Sequence, residues 1–147
     1  MNIRLATVED ILSIVSLEKE VFKESLGESF LYDEMMLNPY SHIVIGEVEH
    51  KMVGYIGLRV DEKAEIMNFA IFPHEQKKGY GKALLTYALD YLKTHHAKTL
   101  SLEVRESNLV AQKLYLSFGF KKSHIRKNYY QNEDAIVFIK EVNPWSF

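Results

Sequence analysis

The stretch that decides the fold is Gln76-Lys77-Lys78-Gly79-Tyr80-Gly81-Lys82, which lies between two apolar segments of different periodicity. The segment before it, residues 64–72, is apolar on both faces and ends at Pro73, which predicts a central strand covered on each side. After it, leucine and alanine recur at helical spacing from Leu84 to Leu92, which predicts a helix with one buried stripe. The quoted residues therefore join a buried strand to the N-terminus of a helix.

The chemistry of this loop suits an anionic ligand. Its two glycines allow several backbone amides to point toward one place, and the N-terminus of a helix adds positive potential. Lys77, Lys78 and Lys82 add full charges at a helix start, where the helix dipole disfavours cations unless an anion is bound. A pyrophosphate fits this pattern. From spacing alone, a tight turn with solvated lysines is an equally good interpretation.

Two other kinds of phosphate loop are excluded. A Walker A loop requires glycine where Gln76 stands and serine or threonine where Ala83 stands. A dinucleotide-binding fingerprint requires a small residue three positions after Gly81, and Leu84 stands there.

The remaining elements follow from periodicity and from turn residues. Thr7 and Asp10 have capping-box spacing, and Asn38-Pro39 is a helix stop. Gly119 stands where a left-handed helix cap is needed. The predicted strands are residues 3–5, 42–48, 52–60, 64–72, 99–104, 120–129 and 135–142, and the other predicted helices are 11–22, 29–37 and 108–118. The order β-α-α-β-β-β-α-β-α-β-β predicts a mixed α/β (α+β) domain.

Composition narrows the classes of protein. The chain has 147 residues, a net charge of −2 and 47% hydrophobic residues, which predicts one domain spanning 1–147. The absence of cysteine excludes a disulfide scaffold and a thiol nucleophile, and the scattered histidines show no metal-ligand spacing. Near-neutral charge argues against nucleic-acid binding, and no apolar run suggests a membrane span or a signal peptide. A cytoplasmic protein is expected.

A second group of residues could carry acid–base chemistry. Glu103 falls on the strand face opposite Leu102 and Val104, and Asn108 and Tyr115 are two helical turns apart. A carboxylate and a phenol that meet in one cleft could act as base and acid. Judged on the residues alone, an ion pair of Glu103 with its neighbour Arg105 and a core role for the Tyr115 ring are the stronger interpretations.

Several segments together resemble the GNAT N-acetyltransferases, and more closely the RimI-type ribosomal-protein-alanine N-acetyltransferases. The segments are Asn68-Phe69-Ala70-Ile71, residues 76–85, Leu102-Glu103-Val104-Arg105-x-Ser107-Asn108, Leu114-Tyr115-x-x-Phe118-Gly119-Phe120, Ile125-Arg126-x-Asn128-Tyr129-Tyr130 and Glu133-Asp134-Ala135. The element order also matches the GNAT fold, a mixed central sheet with helices on both faces. The resemblance therefore covers the whole chain.

The resemblance implies transfer of an acetyl group from acetyl-CoA to the N-terminal alanine amine of a ribosomal protein. It implies that Glu103 is the base, acting through a water, and that Tyr115 is the acid that protonates the CoA thiolate. Residues 69–71 would offer backbone groups to the acetyl and pantetheine moieties, residues 77–82 would hold the pyrophosphate, and Asn108 would contact the CoA arm. The implied cofactor-binding residues are Phe69, Ala70, Ile71, Gln76, Lys77, Lys78, Gly79, Tyr80, Gly81, Lys82 and Asn108. No metal is implied.

The acceptor amine is the open point. Members of this family often carry a Pro-Trp pair where this chain has Ser25-Leu26, on the acceptor side of the cleft. A small-molecule amine or a lysine side chain is therefore an alternative acceptor, and a non-catalytic acetyl-CoA-binding module is a third hypothesis. Glu133-Asp134 could attract a cationic N-terminus or form a solvated hairpin turn. Trp145 and Phe147 could cover an apolar patch, in cis or in a dimer.

Overall fold

Residues 1–143, which the computed structural model describes, contain seven strands and four α-helices. The strands are β1 (Asn2–Leu5), β2 (Ser41–Val48), β3 (Lys51–Arg59), β4 (Lys63–Ile71), β5 (Thr99–Arg105), β6 (Lys121–Tyr130) and β7 (Glu133–Glu141). The helices are α1 (Ile11–Phe22), α2 (Glu28–Leu37), α3 (Tyr80–Thr94) and α4 (Leu109–Ser117), with 3₁₀ turns at Val8–Asp10 and Pro73–Glu75. The predicted order of strands and helices is confirmed, and most predicted bounds lie within a residue or two of the observed ones.

The strands form one sheet in the order β1-β2-β3-β4-β5-β7-β6, so β4 is the middle strand, as its two apolar faces predict. All neighbouring strands are antiparallel except β4 and β5. The β4–β5 ladder consists of only three residue pairs, from Lys63↔Thr99 to Glu65↔Ser101. Beyond that point the two strands separate and leave a gap in the sheet.

A β-bulge marks the place where β4 turns away. Its register with β3 shifts between Gly57↔Asn68 and Leu58↔Ile66, which leaves Met67 as the extra residue. A bulge bends the strand that carries it. β5 stays paired with β7 along its whole length, from Thr99↔Glu141 to Arg105↔Ala135, and does not follow β4. The gap is therefore bordered by one bent strand and one strand held in place.

Helices cover both faces of the sheet, as predicted, and each face has its own apolar core. Under α3 and α4 lie Ile56, Leu58, Leu84, Leu85, Leu92, Leu100, Leu102, Val104, Tyr115, Phe120 and Phe138, among others. Under α1 and α2 lie Ile11, Ile14, Leu17, Leu31, Ile43, Ile45, Tyr55 and Ala70. Because successive side chains of a strand point to opposite faces of the sheet, neighbouring residues of one strand belong to different cores. Because Leu102 and Val104 face α3 and α4, Glu103 projects from the opposite face.

Ion pairs and hydrogen bonds connect β1 to the first helical turn. The Asp10 carboxylate accepts from the Thr7 amide at 2.8 Å and from both terminal nitrogens of Arg4 at 2.8 Å. Arg4 also contacts Glu47 of β2 at 3.0 Å. The predicted capping pair is thus present, although it caps a 3₁₀ turn and α1 begins only at Ile11. These contacts lower the pKa of Asp10, chiefly through the hydrogen bonds from Arg4.

We expect Asp10 to make the stability of the fold depend on acidic pH. Its folded-state pKa lies below the unperturbed 3.8, so the unfolded chain binds this proton first as the pH falls. The stabilisation is therefore complete above that value and is lost as the pH falls through the folded-state pKa. Urea unfolding of wild type and Asp10→Asn from about pH 6 to about pH 2 should show a difference in unfolding free energy that shrinks toward acid.

The matched control is Asp90→Asn, an exposed aspartate of α3. Its difference from wild type should be small at every pH. A difference between wild type and Asp10→Asn that stays constant over the whole range would contradict the assignment to the Asp10 carboxylate.

The end of the chain departs from one sequence-based alternative. The β6–β7 turn consists of residues 131–132, so Glu133 and Asp134 are strand residues and not a solvated hairpin turn.

Gly119 has a φ of +86° after α4, which confirms the predicted left-handed cap. Trp145 and Phe147 lie outside the described residues. No helix within residues 1–143 is long and apolar enough to cross a membrane.

Candidate active site

A cleft of about 360 Å³ occupies the gap where β4 and β5 separate. Its walls come from five parts of the chain: the α1–α2 loop, the bulged half of β4, the C-terminal half of β5, one side of α4 with its N-cap, and the end of β6. The side chains of Glu103, Asn108 and Tyr115 all line this cleft. The structure therefore brings together the acid–base residues that the sequence singled out.

Glu103 reaches the cleft from the face of α1 and α2, and its side chain is 28% exposed. Its Oε1 lies 3.6 Å from Nε of Arg126 on the neighbouring hairpin. The expected ion pair with Arg105 is not formed: that guanidinium contacts Glu24 at 3.3 Å and Glu133 at 3.2 Å. The predicted ion pair of Glu103 with Arg105 is therefore wrong, and the partly exposed Glu103 side chain lines the cleft.

Tyr115 reaches the cleft from the other face of the sheet, out of the core under α3 and α4. Its ring is 6% exposed and packs against Phe120 and Phe138, with ring centroids 5.5 and 6.0 Å apart. The core role of the ring is therefore real, and it coexists with a place in the cleft lining. Burial raises the pKa of the Tyr115 hydroxyl, with a further contribution from Tyr130. The group keeps its proton at neutral pH, as a proton donor must.

Asn108 is positioned by a different mechanism from the one expected. It is the N-cap of α4, and its Oδ1 accepts from the Ala111 amide at 3.1 Å. Asn108 thus precedes the first helical residue, and both it and Tyr115 line the cleft.

The glycine loop lies at the start of α3. Gly79 is the helix N-cap with a φ of +86°, and nothing lies within 4 Å of the position its Cβ would occupy. A left-handed residue beside open space suits a backbone that a ligand approaches closely. Lys77 also has a positive φ, of 65°, and Lys78 pairs with Glu75 at 3.3 Å.

Two of the predicted loop residues connect the loop to β4. The Gln76 side chain donates from Nε2 to the Ile71 carbonyl at 3.0 Å, which fastens the loop to the end of the strand. A Cβ on Gly81 would meet the side chains of Phe69 and Ile71 at 3.7 and 3.8 Å. Gly81 thus sits in the packed interface between α3 and β4, whereas Gly79 faces open space.

The backbone amides of residues 69–71 do not all point in the same direction. The Phe72 amide donates to Val53 of β3 at 2.9 Å, and successive amides of a strand point to opposite edges. The amides of Phe69 and Ile71 therefore point toward the gap, and that of Ala70 points toward β3. The Phe69 amide is engaged by Asn68 Oδ1 at 3.1 Å. This leaves Ile71 as the best-placed strand amide for a ligand in the gap.

Arg105 and Tyr130, which sequence reasoning did not assign to the site, complete its far wall, and Glu133 contacts Arg105. The Arg105 guanidinium lies 4.2 Å from the centre of the Tyr130 ring, between Glu24 of the α1–α2 loop and Glu133 of β7. Glu133 also accepts from the amide and hydroxyl of Ser107, and these bonds lower its pKa. Burial, with a smaller contribution from Tyr129, raises the pKa of Tyr130 to about 12.

A sequence signal for this wall existed in part. Tyr130 and Glu133 lie in segments that carry the family resemblance, but the sequence does not show that they lie close to Arg105 in the fold. Within residues 1–143, no three histidine, aspartate or glutamate side chains come together as ligands of a metal ion would.

Comparison with known proteins agrees with this geometry. Residues 8–120 match the acetyltransferase (GNAT) family. A Bacillus subtilis protein, provisionally named ribosomal protein bS18-alanine N-acetyltransferase, is 36% identical over 144 residues, which cover 96% of this chain and 95% of that one. The Escherichia coli K12 ribosomal protein bS18-alanine N-acetyltransferase is 44% identical over 80 residues, 52% of this chain and 54% of that one. The chain belongs to the GNAT acetyltransferase family.

Among solved structures, the crystal structure of the ribosomal-protein-S18-alanine N-acetyltransferase from Escherichia coli superposes with a TM-score of 0.89. It is 29% identical in sequence, and the match covers 96% of this chain and 93% of that one. The predicted family and fold are confirmed. The chain is an acetyl-CoA-dependent N-acetyltransferase, and enzymes of its family use acetyl-CoA as the acetyl donor.

Proposed function

We propose that this enzyme acetylates the N-terminal alanine amine of a ribosomal protein in the cytoplasm, by direct transfer from acetyl-CoA. The observation that carries the proposal is the meeting of Glu103 and Tyr115 in one cleft, from opposite faces of the sheet. The choice of acceptor is supported by the names of the relatives, which act on ribosomal protein bS18. No covalent acyl-enzyme is required.

The donor is assigned to the glycine loop and the gap. Acetyl-CoA carries an acetyl thioester that its pantetheine arm joins to a pyrophosphate. The amides at the start of α3 and the nearby lysines would bind the pyrophosphate, because a helix N-terminus favours an anion. The Ile71 amide, which points into the gap, would donate to the carbonyl oxygen as negative charge develops on it. Asn108 would border the CoA arm at the start of α4.

The proton transfers are assigned to the two side chains. Glu103 accepts a proton from the acceptor's ammonium group through a water, and the free amine then attacks the carbonyl carbon. An N-terminal amine has a pKa near 7.7–8.0, so this deprotonation is a modest task for a carboxylate. Tyr115 donates its proton to the sulfur as the carbon–sulfur bond breaks, which releases CoA as the thiol. The second proton, which the attacking nitrogen loses as the amide forms, restores the phenol.

Charge around the cleft supports a cationic acceptor. Glu24 and Glu103 place two carboxylates at its walls, and Arg105 and Arg126 are each shared between acids and aromatic rings. A protonated N-terminus is attracted to such a site before it loses its proton. Ser25-Leu26, in place of the family's Pro-Trp, lines the same wall and keeps a small amine or a lysine side chain as the second candidate.

The test is an assay of CoA release with a panel of acceptors. It compares a peptide that begins with alanine, the same peptide blocked at its N-terminus but carrying a lysine, and a polyamine. We expect the highest kcat/KM with the free alanine N-terminus. Turnover of the blocked peptide or the polyamine at a higher kcat/KM would reject the proposed acceptor and keep the acetyltransferase chemistry.

We expect Gly79→Ala to weaken acetyl-CoA binding about tenfold or more. A residue with a Cβ disfavours the left-handed conformation by about 1–2 kcal/mol, so the loop would relax and its amides would shift. The added methyl group would also occupy the open space beside the loop. Titration calorimetry with acetyl-CoA measures the change.

Gly27→Ala is the matched control. Gly27 also has a left-handed φ, of +96°, with nothing within 4 Å of its Cβ position, but it caps α2 and not α3. It should lose stability to a similar degree and keep its acetyl-CoA affinity. If Gly79→Ala bound acetyl-CoA as tightly as Gly27→Ala does, the glycine loop would have no part in binding the donor.

A further inference from the structure

One buried carboxylate has no part in the proposed chemistry. Glu18, in α1, is fully buried, with 0% of its surface exposed. Within residues 1–143 no lysine or arginine forms an ion pair with it. A buried charge is costly unless hydrogen bonds replace its hydration. Hydrogen-bond donors around the Glu18 carboxylate must therefore compensate for its lost hydration.

Four donors surround this carboxylate. Oε1 accepts from the Ser25 hydroxyl at 2.6 Å and from the Leu26 amide at 3.1 Å. Oε2 accepts from the Asn68 side-chain amide at 2.6 Å and from the Tyr55 hydroxyl. One oxygen thus holds the α1–α2 loop, and the other holds the two central strands β3 and β4.

The residues held by Glu18 are parts of the cleft, although Glu18 itself is not. Ser25, Leu26 and Asn68 all line the cleft, on its acceptor side and at the β4 bulge. Asn68 also turns its Oδ1 to the Phe69 amide at 3.1 Å. The orientation of Asn68 is therefore fixed at both ends of its side chain, by a carboxylate and by the strand backbone.

Only a carboxylate satisfies this arrangement. All four partners donate, and an ionised carboxylate accepts at both oxygens, whereas a carboxamide accepts at one and donates from the other. The hydroxyls of Ser25 and Tyr55 can rotate to accept, but the Leu26 amide cannot. If Asn68 turned over, its oxygen would leave the Phe69 amide. With glutamine at position 18, the side-chain NH₂ group therefore faces a hydrogen-bond donor on one side, either from the α1–α2 loop or from β4.

We propose that Glu18 is a positioning residue that fixes the α1–α2 loop against β4 and so preforms the acceptor wall of the cleft. The inference rests on the proposed function only in naming this wall as the acceptor side. The donor site lies at the other end of the gap, on α3 and its loop. Loss of the Glu18 contacts should therefore act on the acceptor and spare acetyl-CoA.

The first test is steady-state kinetics of Glu18→Gln. One lost hydrogen bond to a charged group corresponds to about 10–100-fold in an equilibrium constant, so we expect KM for the alanine peptide to rise by that factor. The affinity for acetyl-CoA, measured by calorimetry, should change less than about threefold. An unchanged acceptor KM in a folded Glu18→Gln enzyme would overturn the proposal.

Glu34→Gln is the matched control, because Glu34 is the other buried acidic residue among those described. It lies in α2 and pairs with Arg59 and with Asn38, outside the cleft lining. We expect it to lower the melting temperature and to leave the acceptor KM within about twofold of wild type. If it raised the acceptor KM as much as Glu18→Gln, the effect would be general destabilisation and the positioning role would be rejected.

A second measurement does not depend on turnover. Amide hydrogen exchange at Leu26 should be faster in Ser25→Ala, which removes one of the loop's two hydrogen bonds to Glu18 and leaves the buried carboxylate in place, and exchange within α3 should stay unchanged. Equal Leu26 exchange in wild type and Ser25→Ala would overturn the inference. If wild type acetylates none of the acceptors, the proposed function fails, and this exchange experiment still decides the role of Glu18.

Discussion

Tyr115→Phe is expected to lower kcat about 10²–10⁴-fold, the usual range for a positioned proton donor, with little change in acetyl-CoA affinity. The substitution removes only the hydroxyl. The ring contacts with Phe120 and Phe138 remain, so the core under α3 and α4 keeps its packing. Initial rates at saturating acetyl-CoA and alanine peptide measure the effect, and thermal denaturation checks the fold.

Tyr130→Phe is the informative control for Tyr115. Both phenols line the cleft, and burial raises the pKa of each. Tyr130 stacks on Arg105 at the far wall, so its hydroxyl should matter less for protonation of the sulfur. If kcat fell in Tyr130→Phe and not in Tyr115→Phe, the acid would be Tyr130 and Tyr115 would be a core aromatic only.

Glu103→Gln should lower kcat/KM for the alanine peptide about 10²–10⁴-fold at neutral pH. Glutamine keeps the size of the side chain and one hydrogen-bond acceptor, but it cannot take the proton of the amine. The loss should shrink as the pH rises past the amine pKa near 7.7–8.0, because more of the peptide then arrives as free amine. The measurement is a pH profile of kcat/KM for both enzymes.

Glu24→Gln separates this role from a general charge effect. Glu24 is an exposed carboxylate at the same cleft, and its loss removes one negative charge and its contact with Arg105 but leaves Glu103 in place. Its profile should run parallel to that of wild type. If the Glu103→Gln profile also ran parallel up to about pH 10, Glu103 would bind or orient the acceptor and the base would lie elsewhere.

The sequence predicted the parts of this site that depend on local signals. The strand, glycine loop and helix around Gly79 were readable because apolar periodicity and turn residues change within a few positions. The parity of β5 placed Glu103 opposite Leu102 in the same way. Element order then followed from similar signals along the rest of the chain.

The parts it could not predict depend on long-range register. Nothing local in residues 63–71 tells where β4 leaves β5, because that depends on a bulge at Met67 and on the β5–β7 pairing. Arg105 could not be assigned to Glu24 and Glu133, since these residues are distant in sequence. The hydrogen bonds from Tyr55 and Asn68 to Glu18 are equally non-local, and a glutamate in an amphipathic helix gives no sign of full burial.

The short ladder between β4 and β5 also bears on how the molecule folds and how it responds to its substrate. The sheet consists of two antiparallel halves, β1-β2-β3-β4 and β5-β7-β6, each from a contiguous part of the chain, which share only three residue pairs and the core beneath α3. Hairpins form from contacts near in sequence, so each half can assemble before the two join. A molecule bound in the gap contacts both of them and resists their separation. Occupancy by acetyl-CoA is therefore linked by mass action to the cooperativity of unfolding, and the donor acts as a folding ligand as well as a reactant.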